Sequence, residues 1–111
     1  MYKLTLIFHD LPSAPDLVAR WSQEFVPLAE QMPGLVRVMV SHADGGPAGP
    51  VDIRLIHDLI FESREALLAA MQSPEGVAAG QGLVHLTKNT PGAVTMLFAE
   101  HMEDDPHPAA A

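Results

Sequence analysis

The sequence of 111 residues contains no cysteine, which excludes disulfide staples, thiolate nucleophiles and sulfur-ligated metal centres. Basic residues are scarce: six Lys and Arg stand against fourteen Asp and Glu, a formal net charge of −8. Nucleic-acid phosphates demand basic patches, so no nucleic-acid partner is expected. No basic amphipathic stretch suits a membrane surface, and no run of apolar residues is long enough to span a bilayer. The first residues, "MYKLTLIFHD", lack the small-residue cleavage site of a secretory signal and read at once as a strand. Together with the missing cysteines, this points to a cytoplasmic protein. No histidine or carboxylate cluster has metal-ligand spacing, whether His-x-His or a helical His-x-x-x-His. No glycine-rich turn links a strand to a helix, no Gly-x-Ser-x-Gly elbow occurs, and no histidine is placed as a haem ligand. No cofactor is expected.

What is present is enough apolar material, 48% of residues, to fill the core of one small domain. A domain of this size is marginal alone, which favours a partner surface. Alternation over 2–9 predicts a first strand. A helix follows, with Ser13 as candidate cap, Pro15 and Asp16 in its first turn, and an apolar face of Leu17, Trp21, Phe25, Leu28 and Met32. Pro27 lacks a backbone donor and crowds the preceding turn, so a kink or break is expected near Phe25. Strands are expected over 35–42 and 51–61, joined by the Gly/Pro loop "ADGGPAGP" as an antiparallel hairpin. Ser63 caps a helix reaching about Ser73, and Ser73 with Pro74 starts a short further helix. Residues 80–92 carry no clear pattern, and 93–101 form the fourth strand. The order β-α-β-β-α-β is that of an α+β ferredoxin-like fold, with two helices on one face of a four-stranded antiparallel sheet over residues 1–101. The acidic, proline-containing stretch 102–111 is expected to be a disordered tail.

Alternation sorts the strand residues onto two faces. One is almost wholly apolar and belongs under the helices. The other mixes Thr5, Ile7, Arg37, Met39, Arg54, Ile56, Asp58, Ile60, Thr95, Leu97 and Ala99. Left in water, that mixed face would be a large apolar patch. A second copy laid against it makes a homodimer and closes a dimeric α/β barrel. Its interior is either a small-molecule pocket with apolar walls and few polar groups or an ordinary, filled dimer core.

Three segments, "FVPLAEQMPGL", "LIFESREALLAAMQSPEG" and "GAVTMLFAE", resemble the EthD family of small dimeric α/β-barrel proteins, named for their association with alkyl ether degradation. The resemblance spans roughly residues 2–100. It implies the same fold and a histidine two residues before the helix proline, where this chain carries Phe25. A phenylalanine neither transfers protons nor binds metals, so chemistry depending on that histidine is not expected here.

Asp58 is the candidate catalytic base, an acid set between Ile56 and Ile60. A hairpin register joining residues 42 and 53 puts Arg37 opposite it, as an orienting polar pair or as a structural ion pair. Trp21 and Phe25 are expected to narrow the pocket from the helix side. His57, on the helix-facing side, reads as a hydrogen-bonded core residue. The combined expectation is an EthD-like homodimer that binds a small, largely apolar organic molecule in a catabolic or accessory role. The alternatives are a cofactor-independent oxygenase, dehydratase or isomerase using Asp58, and a dimerisation module with a closed interior.

Overall fold

The computed structural model describes residues 1–106. Strands β1 (Tyr2–His9), β2 (Arg37–His42), β3 (Ile53–Phe61) and β4 (Val94–Glu100) form one four-stranded antiparallel sheet in the order β2-β3-β1-β4. This is the ferredoxin-like α+β arrangement. Helical segments connect β1 to β2 and β3 to β4 and pack on one face. Leu6, Phe8, Leu55, Leu59 and Phe61 have no exposed surface beneath them.

The first connection is one continuous helix in three parts: α1 (Leu17–Arg20), a π-helical turn (Trp21–Phe25) and α2 (Val26–Ala29). Val26 N–H donates to the Trp21 carbonyl five residues back, and α geometry resumes with Glu30 N–H on Val26. The expected disturbance near Phe25 is this wider turn. Its position just before Pro27 follows from the proline ring, which would press on the carbonyl of residue 23 in a regular α-helix. Both aromatic rings of the turn, Trp21 and Phe25, are buried against the sheet.

The second connection is α3 (Arg64–Gln72) followed directly by α4 (Pro74–Thr87). Ser63 accepts from Ala66 N–H at 3.1 Å and Ser73 from Gly76 N–H at 3.0 Å, so these two of the three predicted serine caps are in place. Ser13 is not a cap: the first helix starts later than expected, at Leu17, with Asp16 at its cap position and no side-chain cap bond. The helix after Ser73 is not short, however: it runs fourteen residues through most of the stretch that had no clear pattern. Three glycines, Gly76, Gly80 and Gly82, dilute its periodicity, but Gly76, Ala79, Leu83 and Leu86 form its buried stripe.

The β2–β3 register departs from expectation. Arg37 lies opposite Ile60 and Met39 opposite Asp58, two residues away from the predicted pairing. The hairpin continues past the strands, with Ala43 N–H on the Arg54 carbonyl. Gly46 and Gly49 then make their own small turn, bonded to each other in both directions. The loop composition alone does not reveal that inner turn. A slip of two keeps every side chain on its predicted face while changing its neighbours.

Residues 102–106 have no regular secondary structure, but Glu103 reaches Arg37 at 2.7 Å. Since β1 and β3 separate β4 from β2, the chain after β4 crosses the sheet at this end. Residues 107–111 of the expected tail lie outside the described residues. Among the described residues, no helix is long and apolar enough to cross a membrane.

Candidate functional site

The two faces of the sheet carry different chemistry. On the mixed face, Thr5 and Asp58 are direct cross-strand partners on β1 and β3, and both are buried. The Thr5 hydroxyl donates to Asp58 Oδ1 at 2.5 Å, and Lys3 Nζ stands 3.5 Å from the same oxygen. The expected Arg37–Asp58 pair is absent: Arg37 is taken by Glu103, and the two-residue register shift puts Met39 beside the acid. Lys3 is the partner the sequence reading missed. Its signal was the odd-numbered alternation that also placed Thr5 and Ile7 on this face. Ile60 is fully buried, Ile7 and Ile56 are half-buried, and Thr95 is exposed. Met39 and Leu97 remain 39% and 40% exposed at the flanking strands.

This wiring makes a definite forecast. Asp58→Asn keeps the acceptor for Thr5 and loses only the charge beside a partly solvated Lys3, so urea unfolding should fall by about 1 kcal/mol. Asp58→Ala strands the buried Thr5 hydroxyl and should cost about 2–3 kcal/mol. Equal losses for both variants would show that the lysine, not the threonine, holds the acid.

The opposite face borders a cavity of about 730 Å³ between the sheet and α4. Leu4 and Leu6 of β1, Leu59 of β3 and Met96 of β4 form its floor, with Phe25 and Met32 at one side and Met71 at another. Along α4, Gly76, Val77, Ala79, Gly80, Leu83 and Val84 form the roof, and Gln81, His85 and Lys88 bring the polar groups. The mouth is open: Val77, Val84 and Met96 are 48%, 68% and 52% exposed. Gly80 lies at this mouth and is exposed, and a side-chain carbon built there meets nothing within 4 Å.

Of the residues singled out from sequence, Phe25 lines this cavity, and Trp21 packs against Phe8 and His57 instead. Asp58, Thr5, Ile7, Arg37, Met39, Ile56, Ile60, Thr95 and Leu97 belong to the other face. The α4 lining was invisible to the strand argument because it comes from a helix the pattern had not located.

Behind Phe25 sits His57, with no exposed surface. Trp21 Nε1 donates to its Nδ1 at 3.0 Å. The Trp21 and Phe25 rings both stand edge-on to the imidazole, at 5.1 and 5.9 Å between centroids. Burial among these rings pushes the His57 pKa down to about 4, against a small opposing pull from Asp58. His57 is therefore neutral at physiological pH. Among the described residues no group of three or more His, Asp or Glu is arranged to hold a metal ion.

No protein-family model matches the sequence. An uncharacterised 11.0 kDa protein from the thcB–thcC intergenic region of Rhodococcus erythropolis is 28% identical over 100 residues, covering 90% of this chain and 94% of that protein. Among solved structures, an ethyl tert-butyl ether D (EthD) family protein from Bacillus halodurans superposes with a TM-score of 0.81 at 24% identity, covering 92% of this chain and 99% of its own. A dimeric ferredoxin-like protein of unknown function from Jannaschia superposes with a TM-score of 0.64 at 18% identity, over 91% and 100% of the two chains. The EthD resemblance read from the sequence thus has its counterpart in the fold.

Proposed function

We propose that the chain works as a homodimer whose protomers each take up a small, largely apolar organic molecule between the sheet and α4. The cavity carries this reading: about 730 Å³ of space, walled by aliphatic side chains, methionines and one phenylalanine, with polar groups confined to Gln81, His85 and Lys88. Space of that size and lining suits a small, largely apolar ligand entering through the open mouth. Met32, Met71 and Met96 supply flexible, polarisable walls that adapt to more than one shape. Asp58 faces away from this space within its own protomer, so its place is in the proposed interface between sheets.

Gly80→Leu tests the cavity. Its first side-chain carbon enters open space, and replacing a mid-helix glycine should raise stability by up to about 1 kcal/mol. Titrations with ethylbenzene and naphthalene, followed by the fluorescence of the single tryptophan, Trp21, should show binding to the parent and none to the variant. Equal binding to both would place the ligand elsewhere.

The dimer reading is supported by the apolar mixed face, and the Jannaschia protein is itself dimeric. A stable contact should bury roughly 1,500–2,000 Å² in total. Sedimentation at micromolar concentration should give twice the 11.9 kDa chain mass. A persistent monomer would remove the barrel from this reading while leaving the cavity untouched.

A further inference from the structure

His57 is a polar group that the core does not explain. Its Nε2 is, among the described residues, the buried side-chain nitrogen or oxygen without a hydrogen-bond partner. Its protonation follows from its neighbour. An indole N–H can only donate, so Nδ1 accepts from Trp21 and the proton of the neutral ring sits on Nε2. The result is a fixed donor with nothing to receive it. Buried donors in that condition are uncommon and ask for a use.

Its surroundings locate that use. Leu6, the cross-strand partner of His57, lines the cavity, and so does Leu59, two residues along the same face. Phe25 also lines the cavity, and its ring stands perpendicular to the imidazole at 5.9 Å. The Phe25 ring thus touches both the histidine and the ligand space. That ring is carried by the π-helical turn, where the backbone departs from regular α geometry.

We propose that His57 is the polar recognition group of the cavity, its Nε2–H donating to one carbonyl-type oxygen of a neutral, otherwise apolar ligand when the Phe25 ring turns aside. The proposal rests on the reading of the cavity as a ligand site, and it narrows the ligand class. The charged groups nearest the ring do not alter the donor. Asp58, the next residue, points to the opposite face and is engaged by Thr5 and Lys3. The low pKa that burial gives His57 keeps it a neutral donor, unsuited to fixing a carboxylate.

Acetophenone and ethylbenzene test this, since they share size and shape and differ in the carbonyl. In uniformly ¹⁵N-labelled protein, the free state should show His57 protonated on Nε2 alone. Acetophenone should shift the Nε2 resonance and the Phe25 ring resonances, and ethylbenzene should leave Nε2 in place. Acetophenone should bind at least roughly threefold tighter than ethylbenzene, as one net hydrogen bond implies. His57→Leu should reverse that order, because a purely apolar wall favours the hydrocarbon. Should His57→Leu fail to fold, the Nε2 shift in the parent protein decides alone. Binding of both probes with an unmoved Nε2 overturns the role of His57 and leaves the cavity as a ligand site. Binding of neither overturns the ligand site and this proposal together.

Discussion

Gly76→Ala should be severely destabilising. The added carbon would lie 2.0 Å from the Ala70 carbonyl oxygen and 2.7 Å from the Met71 Cα, both backbone atoms of the preceding helix. Side chains can swing away from such a contact, but two helices joined through one residue cannot. Ser73 caps α4 through Gly76 N–H and donates back to the Ala70 carbonyl, so forcing α3 and α4 apart also strains this joint. Overpacking against backbone should cost about 3 kcal/mol or more, a fall in Tm on the order of 15 °C for a domain of this size. Gly82→Ala is the matched control. Its carbon meets the tip of Leu28 at 2.5 Å, a flexible side chain, and gains helix propensity. It should change stability by no more than about 1 kcal/mol. Thermal unfolding of the two variants side by side checks the contrast, and a Gly76→Ala protein as stable as Gly82→Ala would mean that the α3–α4 joint is loose.

Acidification should destabilise the protein through His57. The folded-state pKa lies near 4, below the ordinary value of 6.5. Above pH 6.5 neither state holds the proton, and His57 makes stability no more pH-dependent. As pH falls from 6.5 towards 4, the unfolded chain takes up a proton that the folded chain refuses. Stability should then decline by about 1.4 kcal/mol per pH unit, approaching a total of about 3 kcal/mol near pH 4. Denaturant midpoints measured from pH 7.5 to 4 check this. His57→Gln keeps a carbonyl for the Trp21 N–H and removes the titration, so its profile should be flatter over the same window. Parallel profiles for the two proteins would assign the acid sensitivity to carboxylates instead.

How far the sequence disclosed the molecule can be judged from particular residues. Strand alternation placed Thr5, Asp58 and Leu97 on one face and Leu6, His57 and Met96 on the other, because side-chain direction depends only on residue parity. Parity is blind to a slip of two, so the neighbours of Asp58 were misassigned even though its face was not. Ser63, Ser73 and Pro27 each declared a local backbone event, because caps and prolines act within a turn. Helix α4 hid because its glycines serve packing and space, at Gly76 and Gly80, rather than helix propensity. The cavity hid with it. Half its wall belongs to that helix, and its polar group of most interest, His57, is one that sequence patterns read as ordinary core.

The π-helical turn has a consequence for comparison between relatives. A backbone loop closed from Val26 to Trp21 holds one residue more than an α-helical loop. In the language of insertions and deletions, it is a single added residue absorbed without breaking the helix. A relative with an uninterrupted helix would align with a one-residue gap somewhere in Trp21–Phe25. Matching Phe25 to another protein's histidine is therefore sound only where that protein carries the same turn. Where it does not, the side chain facing His57 stands one place along in the ungapped count, and the gap belongs beside the proline rather than in a loop.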